Sequence, residues 1–216
     1  MIPVLYIDDY FLICIKPVGL ISESPGLPDI LSAQLNRKLY PVHRLDQGTG
    51  GVCMLALSSK ACAGLQKLFT EDRIQKEYLA VISGVPETSQ GTYRDLLYHD
   101  KKTNKSYIVS HERKGVKEAL CNWTVLGSAE HDGQPLSLLR ILLHTGRTHQ
   151  IRVQFASRGY PLAGDRRYGS RIRASVPALW ASGISFSHPW NDGAQISVSS
   201  RPDSVFPWSV FDSDDL

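Results

Sequence analysis

The sequence predicts an α+β fold with a mixed, mainly antiparallel sheet, divided into two lobes and flanked by helices. Three observations carry this reading. Apolar, strand-like runs recur along the whole chain, turn-forming residues join several of them as hairpins, and helical spacing occurs only in isolated segments. The regular alternation of strand and helix that a parallel sheet needs is absent. At 216 residues with 42% apolar content, the chain can bury one sizeable core, and residues 1–216 read as a single domain.

The elements follow in order. VLYIDDYFLICIKP is two apolar runs around Asp8-Asp9, a β-hairpin stopped by Pro17, with Gly19 permitting the next turn. Asp29, after Pro28, reads as the N-cap of a short amphipathic helix carrying Ile30, Leu31, Gln34, Leu35 and Lys38. Val52 to Leu57 reads as a buried strand, after which Ser58 or Ser59 caps a helix with Ala61, Leu65, Leu68 and Phe69 on one face. Glu77 to Ile82 is the next strand, and His99 to Lys117 an exposed basic loop or ribbon. EALCNWTVLG and PLSLLRILLHT are strands joined around His131-Asp132-Gly133, where the DG pair signals a tight turn. Thr148 is placed as the cap of a helix reaching Ser157, with Ile151 and Phe155 inward and Gly159 as its stop. LWASGISFSHP and QISVSS are late strands before a Pro-rich tail containing Trp208.

Composition narrows the function classes. No apolar run approaches the roughly 20 residues that span a bilayer, and the amino terminus lacks the basic and apolar regions of a signal peptide. A cytoplasmic monomer without membrane association is expected. Cys14, Cys53, Cys62 and Cys121 form no CxxC pair and read as reduced core thiols. Neither GxGxxG at a strand-to-helix turn nor GxxxxGK[ST] occurs, so dinucleotide and nucleoside triphosphate binding lack support.

Charge is unevenly spread. Arginines 140, 147, 152, 158, 166, 167, 171 and 173 face a single acid, Asp165, and a second basic cluster holds Lys101, Lys102, Lys105, Arg113, Lys114 and Lys117. Beyond Arg173, only Arg201 stands against Asp192, Asp203, Asp212, Asp214 and Asp215. Clustered arginine neutralises phosphates and can contact them bidentately, so the asymmetry points to nucleic acid, with a solvated basic face as the alternative.

The chemistry centres on PVHRLDQGTGG, residues 41–51, where Asp46 lies between an apolar approach and a glycine-rich turn. A carboxylate entering the core needs a cation or solvent, or it takes up a proton. Metal ligation by His43, His144 and His149 with Asp46 or Asp165 has poor spacing, no GxSxG elbow is present, and Cys53 lies within an apolar strand. Spacing alone leaves Asp46 open between a turn-stabilising residue and a nucleophile, and Tyr78 between a core aromatic and a site residue.

HRLDQGTGG resembles the HRLD motif of the RluA-type family of RNA pseudouridine synthases. Three further segments agree in the same order: Lys16-Pro17-Val18-Gly19-Leu20, KEYLAVI around Tyr78, and HTGRTHQIRVQFASRGYPLAGDRRYG over residues 144–169. The resemblance implies the pseudouridine synthase fold with an active-site cleft between the lobes. It places the catalytic aspartate on Asp46, the active-site tyrosine on Tyr78, the arginine that pairs with the aspartate on Arg147, and an apolar contact to the base on Leu179. RNA is the implied partner, and no metal or organic cofactor is required. His43, Arg44, His149, Gln150, Arg152, Arg166, Lys101 and Lys105 are carried as RNA-binding candidates. His43 and Arg44 could instead fix the turn, and Gln150 could satisfy local backbone groups. This chain departs from the family at Gly50, where Ser is usual, and at Trp180, where many members have His. Many members also carry an amino-terminal S4-like domain; here a catalytic domain alone is expected, with target choice resting on residues 100–117 and the arginine-rich segment. A non-catalytic RNA-binding module of the same fold, or a small-molecule isomerase, are the competing readings.

Overall fold

A computed structural model describes residues 1–212. In chain order the elements are β1 (Val4–Ile7), β2 (Phe11–Lys16), α1 (Leu27–Leu35), β3 (Tyr40–Pro41), β4 (Gly50–Ala56), α2 (Ser59–Thr70) and β5 (Gln75–Ser83). There follow β6 (Gln90–Asp100), β7 (Lys105–Val109), β8 (Val116–His131), β9 (Gln134–Leu143), α3 (Gln150–Ala156), β10 (Leu179–Ser187) and β11 (Gln195–Ser199). They form two compact units, one from Met1–Lys76 with Trp180–Pro202, the other from Glu77–Leu179 with the described residues from Asp203 onward. Asp214 and Asp215 of the acidic tail lie outside the described residues. No helix among the described residues is long and apolar enough to cross a membrane.

In the first unit, β2 runs antiparallel to β1 and β4, pairing Ile13 with Met54. The other edge of β4 is shared: its start pairs in parallel with β10, its end antiparallel with β3. Every residue of β4 is buried. Ser58 caps α2 by accepting a hydrogen bond from Ala61 N–H, so that Ala61, Leu65 and Leu68 pack on Phe11, Val52, Met54, Ile184 and Phe186. Helix α1 begins two residues before the expected Asp29 cap. Pro28 is tolerated in the first turn, where its missing N–H has no helical acceptor, and the Asp29 carboxylate reaches back to Gly26 N–H. Cys14 and Cys53 are buried and free, while Cys62 is only half-buried.

The second unit is antiparallel in the order β5-β9-β8-β6-β7. Asp132 and Gly133 turn β8 into β9 with φ of 50° and 70°, the mirror-image conformation that matches strand twist. The basic ribbon is a hairpin formed by β6 and β7, with Asn104 left-handed at its tip. Ile151 and Phe155 of α3 pack among Cys121, Trp123, Leu139 and Ile141. The expected cap of this helix is corrected by one position. His149, not Thr148, is the N-cap, and it stands in a left-handed conformation with φ 55° without capping through its side chain.

The two departures from the family pattern occupy the same place. Gly50 pairs with Trp180 across β4 and β10, and a Cβ on Gly50 would overlap Trp180 Cζ3 and lie 2.9 Å from both Trp180 Cε3 and Val18 Cγ2. The indole thus fills the space that a serine side chain would need, and its N–H donates to Ser200 O at 3.2 Å. Gly50→Ser should therefore cost about 1–3 kcal/mol in the native chain. In a Trp180→His background the same change should cost little. Urea unfolding of the four proteins checks this; an equal cost in both backgrounds would mean that the indole does not exclude the side chain.

Candidate active site

In the first unit, the chain around Asp46 is shaped by its backbone. Thr49 N–H donates to Asp46 O at 2.9 Å, closing the turn that leads into β4. Gly51 has φ 113°, and a Cβ there would overlap the carbonyl of Ala181, so the residue must be glycine on both counts. The loop after β2 braces this turn. Buried Ser22 accepts from Leu45 N–H at 3.0 Å and donates to Leu45 O at 2.9 Å, while Gly19 N–H donates to Gln47 O and Gln47 Nε2 returns a bond to Gly19 O. The Lys-Pro-x-Gly-Leu segment and the HRLD segment therefore form one substructure, with the half-buried Asp46 on it.

Lys16 is the residue that sequence reasoning undervalued. It ends β2 fully buried, and its ammonium donates to Pro17 O at 3.0 Å, Leu20 O at 2.7 Å and Gln47 O at 3.4 Å. Burial lowers its pKa to about 8. A cation is thus sequestered next to the turn, satisfied by three carbonyls. The available signal was a lysine ending an otherwise apolar strand and followed by proline.

His43 and Arg44 sit close by but differ in environment. The His43 ring stacks on Phe69 with centroids 4.5 Å apart, and its Nε2 accepts a hydrogen bond from Met54 N–H at 3.1 Å. That geometry requires an unprotonated Nε2, and burial together with Lys76 pushes the pKa down to about 4. Both ring contacts tie β4 to α2, which is the turn-fixing alternative for this residue. Arg44 is exposed and meets Glu23 at 3.5 Å, a weak surface pair.

In the second unit, Tyr78 lies on β5 opposite Ile141 and packs against the cluster that contains the buried Leu179. Arg147 follows β9 on a segment wrapped around Leu120. Gln150, almost fully buried, accepts from Arg147 N–H at 3.1 Å and from Thr145 Oγ1 at 2.8 Å, and donates to Leu120 O at 3.2 Å. Arg147 Nε donates to Glu118 O at 2.7 Å, which orients the guanidinium plane. Gln150 is thus occupied by the chain itself, as its backbone-satisfying alternative anticipates.

Much of the arginine density is spent inside the protein. Arg152 is buried in a bidentate pair with Asp165 at 2.7 and 2.9 Å. Arg158 pairs with both Asp95 oxygens and stacks over Tyr93 at 3.9 Å, Arg140 meets Glu77, and Arg167 donates to Thr103 O and Asn104 O. Arg166, Arg171 and Arg173 are exposed. So are Lys101 and Lys102 on the hairpin turn and Arg113, Lys114 and Lys117 after β7, while Lys105 is half-buried; exposed cations of this kind are free to meet a polyanion.

The family model for RNA pseudouridylate synthase matches residues 10–157. An uncharacterised RNA pseudouridine synthase of Aquifex aeolicus is 31% identical over 96% of this chain and 72% of its own length. A protein named dual-specificity RNA pseudouridine synthase RluA, from Pasteurella multocida, is 31% identical over 86% of this chain and 87% of its own. Among solved structures, human RNA Pseudouridylate Synthase Domain Containing 1 superposes with a TM-score of 0.78 at 25% identity, covering 96% of this chain and 85% of that one. Against other curated relatives the chain spans less of their length, down to 47%.

The low pKa of His43 gives a pH signature. The native ring stays neutral down to pH about 4, whereas in the unfolded chain it takes up a proton near its ordinary value, so this residue's stabilisation is lost as pH falls from 6.5 toward 4. A His43→Gln chain should be less stable than the native protein at pH 7, by a difference that narrows by pH 4.5. Urea midpoints at both pH values measure this, and a gap that does not change with pH would refute the assignment.

Proposed function

Because the chain belongs to the RNA pseudouridylate synthase family, we propose that it isomerises particular uridines of ribosomal or transfer RNA, with Asp46 as the catalytic carboxylate, Arg147 as its ion-pair partner and Tyr78 stacking on the base. The observation that carries the assignment of Asp46 is the braced turn that presents it, with Gly48, Gly50 and Gly51 after it and the Lys16 loop behind it.

The reaction explains why such residues are needed. Breaking the bond from uracil N1 to C1′, turning the base and joining C5 to C1′ demands access to a sugar carbon concealed in folded RNA. The nucleotide has to be flipped out, at a cost of roughly a few kcal/mol that phosphate contacts can offset. Asp46 acts on the ribose, either by attacking C1′ or by removing the C2′ proton to give a glycal. Arg147 keeps that carboxylate anionic, and its orientation through Nε is suited to a fixed ion pair. Tyr78 offers a ring face to uracil and a hydroxyl for the late removal of the C5 proton. The isomerisation is redox-neutral and needs no co-reactant.

Two measurements test this reading. Asp46→Asn should lower tritium release from C5-labelled uridine in RNA by about 1,000-fold or more while leaving RNA affinity within a few fold. Normal turnover would remove Asp46 from the mechanism, and turnover of free uridine monophosphate would favour a small-molecule isomerase. Reversing charge at Lys101, Lys102 and Lys105 should weaken RNA binding and reduce its salt dependence by about one unit of log–log slope for each phosphate no longer neutralised. Unchanged binding would exclude the hairpin from the RNA surface.

A further inference from the structure

Tyr168 ends a 3₁₀ turn, Arg166–Tyr168, and its hydroxyl joins two distant segments of the second unit. The oxygen lies 2.8 Å from Ser106 N and 3.0 Å from His149 Nδ1. Ser106 N–H donates to the phenol oxygen, and the phenol and His149 Nδ1 share a second hydrogen bond whose direction follows the ring tautomer. Burial raises the Tyr168 pKa, which keeps the phenol protonated. Ser106 supplies a second connection. Its hydroxyl donates to Thr148 O at 2.6 Å and accepts from His99 Nδ1 at 3.2 Å.

Both connections end on consecutive residues, Thr148 and His149, immediately after Arg147. His149 is left-handed, a conformation that a side-chain-bearing residue holds when its surroundings impose it. On the other side of the arginine, Gly146 is exposed, and a Cβ placed on it would meet nothing within 4 Å. The setting of Arg147 is therefore secured from its carboxy-terminal side and by Gln150 and Glu118.

We infer that Tyr168 and Ser106 are positioning residues for Arg147: they hold the Thr148–His149 turn that sets the arginine, and they brace it against strand β7 of the basic hairpin. This rests on the proposed role of Arg147 and adds the elements that keep it in register. The Tyr168 ring has separate support, from the Arg152 guanidinium at 5.1 Å and Lys105 Nζ at 5.3 Å, so loss of the hydroxyl alone leaves the ring packed. That makes Tyr168→Phe a clean probe.

The test uses the full chain with C5-tritiated RNA that the unaltered protein turns over, read as the single-turnover rate at saturating protein and the protein concentration giving half that rate. Tyr168→Phe should slow the saturating rate by about tenfold, as expected for a displaced catalytic partner. The half-saturating concentration should move less than about twofold, because RNA docking is retained. Ser106→Ala should act in the same direction, and a urea midpoint near that of the native chain excludes a general loss of fold. Combining Tyr168→Phe with Arg147→Lys should be no slower than Arg147→Lys alone. A native rate in Tyr168→Phe beside an impaired Arg147→Lys overturns the inference and leaves the Arg147 reading intact. So does a defect confined to half-saturation, or one that multiplies with Arg147→Lys. Full activity of Arg147→Lys overturns both.

Discussion

The turn that presents Asp46 is constrained first by lack of room. Two of the three glycines after it are hemmed in: at Gly50 the Trp180 ring stands where a Cβ would go, and at Gly51 both a positive φ and the Ala181 carbonyl exclude a side chain. Close approach of β10 to the start of β4 lets the two strands pair in parallel there, while β2 pairs along the other edge. Held on both sides, the start of β4 cannot slide, and the turn before it inherits that fixity. The loop from Pro17 to Ser22 then fastens the turn through bonds to its main chain, so the backbone that carries the carboxylate is fixed by main-chain geometry.

Lys16 illustrates how such a loop is kept closed. A buried ammonium is costly unless its protons are satisfied, and here three carbonyls from the two facing loops converge on it. The same charge that burial penalises draws Pro17, Leu20 and Gln47 together. Removing it would leave those carbonyls facing one another without a donor, which is why a buried cation can organise a loop even when its contribution to net stability is small.

Where hydrophobic period was strong, the sequence was legible. The opening hairpin, β4, α2, β5 and the β8–β9 hairpin follow from alternation, capping and the Asp-Gly turn, and the family from resemblance in four ordered segments. The failures have physical causes. Strand β6 escaped notice because much of it is only partly buried, so its alternation is shallow. The cap of α3 was misplaced because Thr148 is a good capping residue by type, whereas bonds from Ser106 and Tyr168, remote in sequence, put the turn on His149 instead. Lys16 read as a strand end, because burial of a lysine is invisible until the loops that enclose it are known.

The uneven charge pointed to nucleic acid, in keeping with the family, but the structure divides the arginines between internal pairs and open surface. A local count of charge overlooks carboxylate partners that are remote in sequence, as Glu77 and Asp95 are from Arg140 and Arg158. With those pairs formed, the arginines of α3 and its flanks hold the second unit together, and the exposed cations of the two basic regions include Arg166, Arg171, Arg173, Lys114, Lys117 and the lysines of the hairpin turn. Arg167 and Tyr168 clasp that hairpin from below, through Thr103, Asn104 and Ser106. A hairpin clasped in this way has already given up most of its conformational freedom, so the lysines of its turn project from a fixed frame and any partner they meet is met without the ordering cost of a flexible basic arm.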